Sequence, residues 1–449
     1  MLDPTFGPLA SPVHQPLITV GSRRWFLQVG AAGLGGLALA SSASAGQPAA
    51  KSRPPKSVIL FWLSGGPSHI DMWDPKPDSP QEIRGPYGVI PTKIPGVQFT
   101  EHLPLQASIA DKLSIIRSVD CKASNHTPIT MQAGNPLAQR SNDGRDGGGF
   151  PSMGSVAAKF RGPNDPSMPA FVGLADSWVS DVWESGDMGQ QYAPVKGAEL
   201  AGKFGMPEGI SVPRLEDRDQ LRRSLDRFGR QLESDRQLDR TDRYTREAYE
   251  MVLSGRVQKA FNVGEEPTVL REAYGSESIG QKALLARRLV EAGVTFVLVS
   301  GAWGYFDHHG DNVRWGGIVK GLTPLMPQVD RTLHTLVTDL EQRGLLDSTM
   351  VMMMGEFGRS PVINKEAGRD HWTNVMSMVV AGGGMRHGQV IGSTDSRGGD
   401  IQSAPVRPQD LAATTFRHLG IDLDSYWVNS RGRPIPIVQE GGRPIPELS

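Results

Sequence analysis

Cysteine is almost missing: Cys121 is the single one in 449 residues. One thiol excludes an intramolecular disulfide framework and any zinc or iron-sulfur cage built on cysteines, so a metal here takes His, Asp and Glu as ligands. Charge of one sign is missing too, since Lys+Arg 47 stand against Asp+Glu 48 for a net charge of -1. Dedicated nucleic-acid binders and membrane-surface proteins carry a basic excess, so partners belong to local sites. The apolar run from Val29 to Ala40 is too short and too rich in Gly for a membrane span. No repeat with a period of roughly 20 to 50 residues is visible, which argues against solenoids and propellers. Gly 53 and Pro 34 are plentiful, about 19% of the chain. That exceeds the roughly 12% of average usage but stays below low complexity, and it describes a loop-rich globular protein with length enough for a sizeable core.

Ser22, Arg23, Arg24, Trp25, Phe26 and Leu27 precede the weakly apolar run, and Ala43, Ser44 and Ala45 follow it. Paired arginines, a modest apolar core and a small-x-small site describe a cleavable export signal of the twin-arginine type. Residues 1–45 are then the signal, and 46–449 are expected to form one α/β domain with a helical insertion at about 199–275. The reading implies the twin-arginine translocation machinery as a partner and a periplasmic or secreted location, with no stable membrane span in the mature protein. That route carries folded cargo, which suits a protein that loads a metal first.

Continuous apolar runs bounded by turn residues recur at Ser57 to Leu63, Leu113 to Val119, Ala170 to Leu174, Val294 to Ser300, Thr349 to Met354 and Val375 to Ala381. Such runs suit strands buried on both faces, the mark of a largely parallel sheet. Helical patterns fall between them at Leu103 to Asp111, Ser278 to Ala292 and Val319 to Arg343. The fold class expected is α/β, a doubly wound and mostly parallel sheet with helices on both faces, which places ligands outside the carboxyl ends of its strands. Arg214 to Arg246 interleaves Arg with Asp and Glu, a solvated helical surface and not a basic patch for nucleic acid. Met350, Met352, Met353, Met354, Met376 and Met378 fall in the apolar runs and read as core fillers.

Four polar clusters follow the expected strands. After the first, two glycines precede His69 and Asp71, a nitrogen and a carboxylate two residues apart. After the second come Cys121, Ser124, His126 and Thr127, where a hydroxyl is either a nucleophile beside a base or an ordinary helix cap. After the fourth, Asp307, His308, His309 and Gly310 give a carboxylate and two imidazoles in a row, a pattern that favours a metal or phosphoryl-type site. In extended backbone Asp307 and His309 share a direction, and His308 faces elsewhere. After the fifth, Glu356 is a ligand or base, and Arg359 is an anion clamp or Glu356's partner in a structural ion pair. Asp370 and His371 follow, either as two ligands or as a ligand with its orienting carboxylate.

Gly65-Gly-Pro-Ser-His-Ile-Asp-Met-Trp-Asp-Pro-Lys-Pro77, Gly355-Glu-Phe-Gly-Arg-Ser-Pro361, Gly368-Arg-Asp-His-Trp372 and Ala381-Gly-Gly-Gly384 resemble a bacterial, twin-arginine-exported, sulfatase-like family of unknown function within the alkaline phosphatase superfamily. The resemblance runs from about Val58 to Ile445. It implies a site holding one or two divalent metals (Zn, Ca, Mg or Mn) with a nucleophilic hydroxyl or formylglycine, acting on small-molecule or polysaccharide sulfate or phosphate esters. Asp307 and His309 resemble the Asp and His of one metal site, and His371 its later-arriving His. Glu356-Phe357-Gly358 stands where active members have Asp-His-Gly, so Phe357 replaces a ligand. Cys121-Lys-Ala-Ser-Asn125 carries Asn where formylglycine formation needs Arg, leaving Ser124 or Thr127 as nucleophile, or none. The competing expectations are a metal-dependent ester hydrolase, a protein that retains the fold and binds an anionic ligand without turnover, and a structural partner of an exported complex.

Overall fold

A computed structural model describes residues 54–139, 147–197, 255–301, 305–439 and 441–449. The expected export signal and the greater part of the charged insertion, Arg214 to Arg246 included, lie outside the described residues.

The apolar runs form strands at Ser57–Trp62 (β1), Leu113–Val119 (β2), Phe171–Leu174 (β3), Phe296–Ser300 (β5), Thr349–Met354 (β6) and Met376–Gly382 (β7), joined by the short Val195–Lys196 (β4) and Gln389–Ile391 (β8). The eight make one sheet in the order β8-β2-β7-β6-β1-β5-β3-β4. All its neighbours run parallel except β7, which is antiparallel to both β6 and β2. The carboxyl ends of β1, β2, β3, β5 and β6 therefore share one edge with the amino end of β7, and all the polar clusters emerge there.

Alternation along each strand supplies two cores. Val58, Leu60 and Trp62 join Phe296, Leu298, Met350, Met352 and Met354 on one face, beneath helices Met153–Phe160 (α1) and Pro408–His418 (α4). Ile59, Phe61, Val297 and Met353 point to the other face, where Ser278–Ala292 (α2) and Met326–Gln342 (α3) lie. Every residue of β1 is buried. At about 1.5–3 kcal/mol for each large apolar side chain removed from water, this central strand anchors the edge that carries the site.

The helix expected over Val319 to Arg343 is two segments. A π-helical turn at Ile318–Leu322 ends before α3 begins at Met326. Pro324 and Pro327 lack the N–H that a continuous ladder needs, and the second is tolerated because it falls in the first turn of α3.

Candidate metal centre

The tip of β1 turns through Gly65 and Gly66, at φ 109° and 86°. A Cβ on Gly65 would stand 2.5 Å from the Asp307 backbone nitrogen, and one on Gly66 would stand 2.6 Å from the Phe357 ring. Only glycine lets the β5 and β6 loops close this tightly over the strand end. Phe306 N donates to Ser64 O at 2.9 Å, holding the β5 loop against β1. After β6, the two-residue strands Gly358–Arg359 and His371–Trp372 pair antiparallel, with His371 opposite Arg359. Asn364 Nδ2 donates to His309 O at 2.7 Å and Arg369 N to His308 O at 3.0 Å, so the two loops are strapped together.

These straps bring three imidazoles onto one carboxylate. His309 Nε2 lies 2.8 Å from His371 Nε2, and each lies 3.1 Å from Asp307 Oδ1. His126 comes from the β2 loop, its Nε2 3.6 Å from Asp307 Oδ2 and its Nδ1 2.9 Å from Glu356 Oε1. His126, Asp307 and His371 each offer a ligand atom within 4.8 Å of the others. The two nitrogens of His309 and His371 and the Asp307 oxygen, at mutual separations near 3 Å, suit the donor set and crowding of a divalent-metal site.

The electrostatics centre on Asp307. Burial works against its charge, but bonds from His126, His371 and Arg359 outweigh it and hold the carboxyl far below its usual range. Burial likewise disfavours a charged His126, yet contacts with Asp307 and Glu356 raise it to about 9. His371 goes the other way: burial lowers it, Asp307 opposes this, and the nearby Arg359 charge reinforces it. One imidazole is thus built to hold a proton and another to present a free nitrogen.

Arg359 is buried and makes four hydrogen bonds, to Gly66 O at 3.0 Å, Arg369 O at 3.0 Å, Gly65 O, and Asp307 Oδ1 at 2.6 Å. The expected anion clamp is instead a brace that fixes Asp307 and the β1 turn. Nor is it Glu356's ion-pair partner: Glu356 Oε1 accepts from Gly65 N at 2.9 Å and faces His126. Glu356 Oε2 is buried with no hydrogen-bond partner among the described residues. Asp370 Oδ1 stands 3.5 Å from His309 Nδ1, on the far side of that ring from the cluster, as an orienting carboxylate. His308 faces away, as the alternation predicts, with Nδ1 3.1 Å from Trp315 O, and burial lowers it to about 4.

His69 and Asp71 are not brought to the cluster. His69 Nε2 meets Gly398 O at 2.8 Å, and both Asp71 oxygens are taken by Arg369, at 2.7 Å to Nε and 3.0 Å to Nη2. A buried guanidinium claims that carboxylate as a structural clamp. Ser124 Oγ donates to Asn125 O at 3.4 Å and Thr127 Oγ1 to Asn125 Oδ1 at 2.6 Å; neither hydroxyl bonds to the cluster among the described residues. Neither caps the helix Ile129–Ala133, whose N-cap is Pro128. Cys121 is buried, and burial with the charges of Asp120 and Glu356 raises its thiol well above the ordinary value.

Phe357, expected only as the residue that replaces a ligand, has a packing role, and Asp181 was not expected at all. Phe357 packs its ring against His371 at 4.5 Å and His126 at 5.6 Å, walling the imidazoles in place. Asp181 ends the short helix Trp178–Asp181 after β3 and accepts from Ser300 Oγ at 2.8 Å. Burial raises its carboxyl to about 6, the Ser300 bond opposes, and the Glu356 charge adds to the rise. A carboxylate a few residues beyond an apolar run was the signal for it.

The fold and the cluster define an α/β protein with a histidine-rich candidate metal centre at the carboxyl edge of its sheet. Residues 55–449 match the family described as Protein of unknown function (DUF1501), and the chain belongs to that family. No curated protein matches. Among solved structures it is similar to Ps i-CgsB in complex with k-i-k-neocarrahexaose, at 11% identity, 82% of this chain, 73% of that one and a TM-score of 0.40. It is also similar to the sulfatase PsFucS1 from Pseudoalteromonas sp., at 11% identity, 89% and 72% coverage and a TM-score of 0.37. A third is the phosphonate monoester hydrolase SpPMH from Silicibacter pomeroyi, at 10% identity, 87% and 75% coverage and a TM-score of 0.36. Similarity at this level identifies neither activity nor substrate.

Proposed function

We propose that this chain is an exported, metal-dependent hydrolase of sulfate or phosphate esters. The observation that carries the reading is the triangle of His309 Nε2, His371 Nε2 and Asp307 Oδ1 at the strand edge, with a proton-holding His126 beside it. His309, His371 and Asp307 would hold the ion. Imidazole-rich ligation favours Zn over Ca, Mg and Mn, which are better suited by oxygen ligands. A divalent ion there supplies Lewis-acid polarisation of the ester oxygens and activation of water. Asp370 orients the His309 ring, and Arg359 keeps Asp307 aimed. His126, between Asp307 and Glu356, carries the proton that the departing alcohol oxygen needs. Neither Ser124 nor Thr127 bonds to the cluster among the described residues, since both hydroxyls are turned to Asn125, and in this reading the attacking oxygen comes from water.

The absence of a bond from either hydroxyl to the cluster among the described residues favours a second reading, in which the site binds an anionic ligand without turnover. Metal analysis of gently purified protein, followed by assays on aryl sulfate and aryl phosphate esters with Zn, Mn, Mg or Ca added, separates the two. The hydrolase reading expects stoichiometric metal and ester cleavage. Metal or anion binding with no cleavage leaves the second reading, and absence of metal under all conditions sinks the centre itself. Export rests on the Arg23-Arg24 segment, and a reporter fused to residues 1–50 should stay inside the cell when both become Lys.

A further inference from the structure

Outside the main sheet, Tyr426–Val428 (β9) and Pro434–Pro436 (β10) form an antiparallel ribbon. Trp427 and Ile435 share its inner face: Trp427 is buried in the core with its ring 6.4 Å from that of Phe150, and Ile435 packs against the same cluster. Alternation puts Tyr426, Val428, Pro434 and Pro436 on the outer face, where Tyr426 is 60% and Val428 55% exposed. The ladder fixes which edge of the ribbon is open. Ile437 N donates to Ser425 O at 3.1 Å and Asn429 N to Arg433 O at 3.0 Å, so Ser425, Trp427 and Asn429 turn their backbone groups toward β10. Tyr426 and Val428 alternate with them and turn theirs outward, and no hydrogen bond reaches those N–H and C=O groups among the described residues. The outer edge of β10 is closed instead, because the outward positions there are Pro434 and Pro436, which have no N–H to donate.

Charge says what the open edge takes. Exposed Asp422 and Asp424 precede β9, and exposed Arg431 and Arg433 follow it at the turn into β10. Ser430 Oγ donates to Asp187 Oδ2 at 2.7 Å and pins that turn, yet none of the two acids and two arginines has an ion-pair partner among the described residues. We infer that β9 is a dimerisation edge, which pairs antiparallel with β9 of a second copy of this chain about a twofold axis through Trp427. This register sets Tyr426 opposite Val428 of the second copy, so the outward backbone groups of both residues find partners and each exposed aromatic ring meets a β-branched side chain. It also brings the acidic end of each strand beside the basic turn of the other copy, the self-complementarity that a twofold contact requires. A parallel pairing would set acid beside acid. The inference stands whether or not the metal centre cleaves esters.

Sedimentation equilibrium of the full chain over a range of concentrations, at low salt, tests it. A monomer–dimer equilibrium is expected. Val428→Pro removes an outward N–H that the ribbon itself does not use, and should weaken dimerisation about tenfold or more, since the bond is lost twice across the axis. Asp424→Arg and Arg431→Asp should each weaken it several-fold, and the double variant should restore it, a rescue that a folding defect would not give. A double variant that dimerises no better than the single ones overturns the inference. So does a chain that stays monomeric at every concentration, which would leave the edge to an extended segment of a different protein.

Discussion

His309 Nε2 and His371 Nε2 face each other at 2.8 Å, on loops 62 residues apart in the chain. Two neutral imidazoles at that distance need one to donate and one to accept, and Asp307 Oδ1 3.1 Å from both offers a third lone pair. A shared divalent ion satisfies all three atoms together. Accordingly His309→Ala and His371→Ala should each lower metal occupancy at least tenfold in protein dialysed against micromolar Zn or Mn and measured by emission spectrometry. His126→Ala should keep its metal and lose turnover. Retention of metal in both of the first two variants would refute the ligand set.

His126 also makes a prediction about pH. In the metal-free protein burial disfavours its charge, but Asp307 and Glu356 raise it to about 9, above the unfolded value near 6.5. The folded state therefore binds the proton more tightly. Its contribution to stability is fully present below about pH 6.5 and fades as pH rises through about 9. Urea unfolding of the metal-free protein should show the wild type more stable than His126→Gln at pH 6, by on the order of 2 kcal/mol after allowing for partial solvent screening. The gap should close by about pH 10. A gap that widens with pH would mean that His126 is neutral in the fold.

The strands were legible because a strand buried on both faces tends to be a nearly continuous apolar run, as β1 and β6 are, and because β2, though broken by Ser114, Arg117 and Ser118, keeps Leu113, Ile115, Ile116 and Val119 buried. The direction of β7 was not legible, since apolar content does not encode orientation. At the site, Asp307, His309 and His371 stood out because polar residues crowd directly after strands. What their neighbours do was hidden, because it depends on partners far along the chain: Glu356 reaches His126 across 230 residues, and Arg369 diverts Asp71 across 298. Phe357 read as a missing ligand, and only its stacking on His371 reveals it as a wall.

The Asp71–Arg369 pair is nearly solvent-free, with side chains 0% and 1% exposed. Arg369 further donates to Ile83 O at 2.7 Å and Ser360 O at 3.2 Å, so it ties the β1 loop to the loop before His371. Removing one member of a buried pair strands the other charge and costs about 3–5 kcal/mol. Arg369→Met should therefore lower unfolding free energy by that order in urea titrations. Asp71→Asn should also destabilise while leaving metal content intact, because Asp71 lies outside the cluster. Loss of metal from Asp71→Asn at preserved stability would return Asp71 to the ligand set.

Gly65 offers a way to disturb the centre without touching a ligand. Its φ of 109° is a conformation that side-chain-bearing residues seldom adopt, and the added Cβ of Gly65→Ala would meet the Asp307 backbone nitrogen at 2.5 Å. Backbone cannot swing aside as a side-chain tip can, so the Asp307 loop must move, carrying the carboxylate away from His309 and His371. Gly432→Ala is the control: φ is 74°, yet nothing lies within 4 Å of the new Cβ. Both variants bear the left-handed backbone penalty, about 1–2 kcal/mol. Only Gly65→Ala should add a tenfold or greater loss of Zn or Mn affinity, measured by competition with a chromogenic chelator. Equal metal affinity in the two variants would mean that Asp307 does not depend on the β1 turn for its position, and that the contact between the strand tip and the β5 loop is incidental to the site.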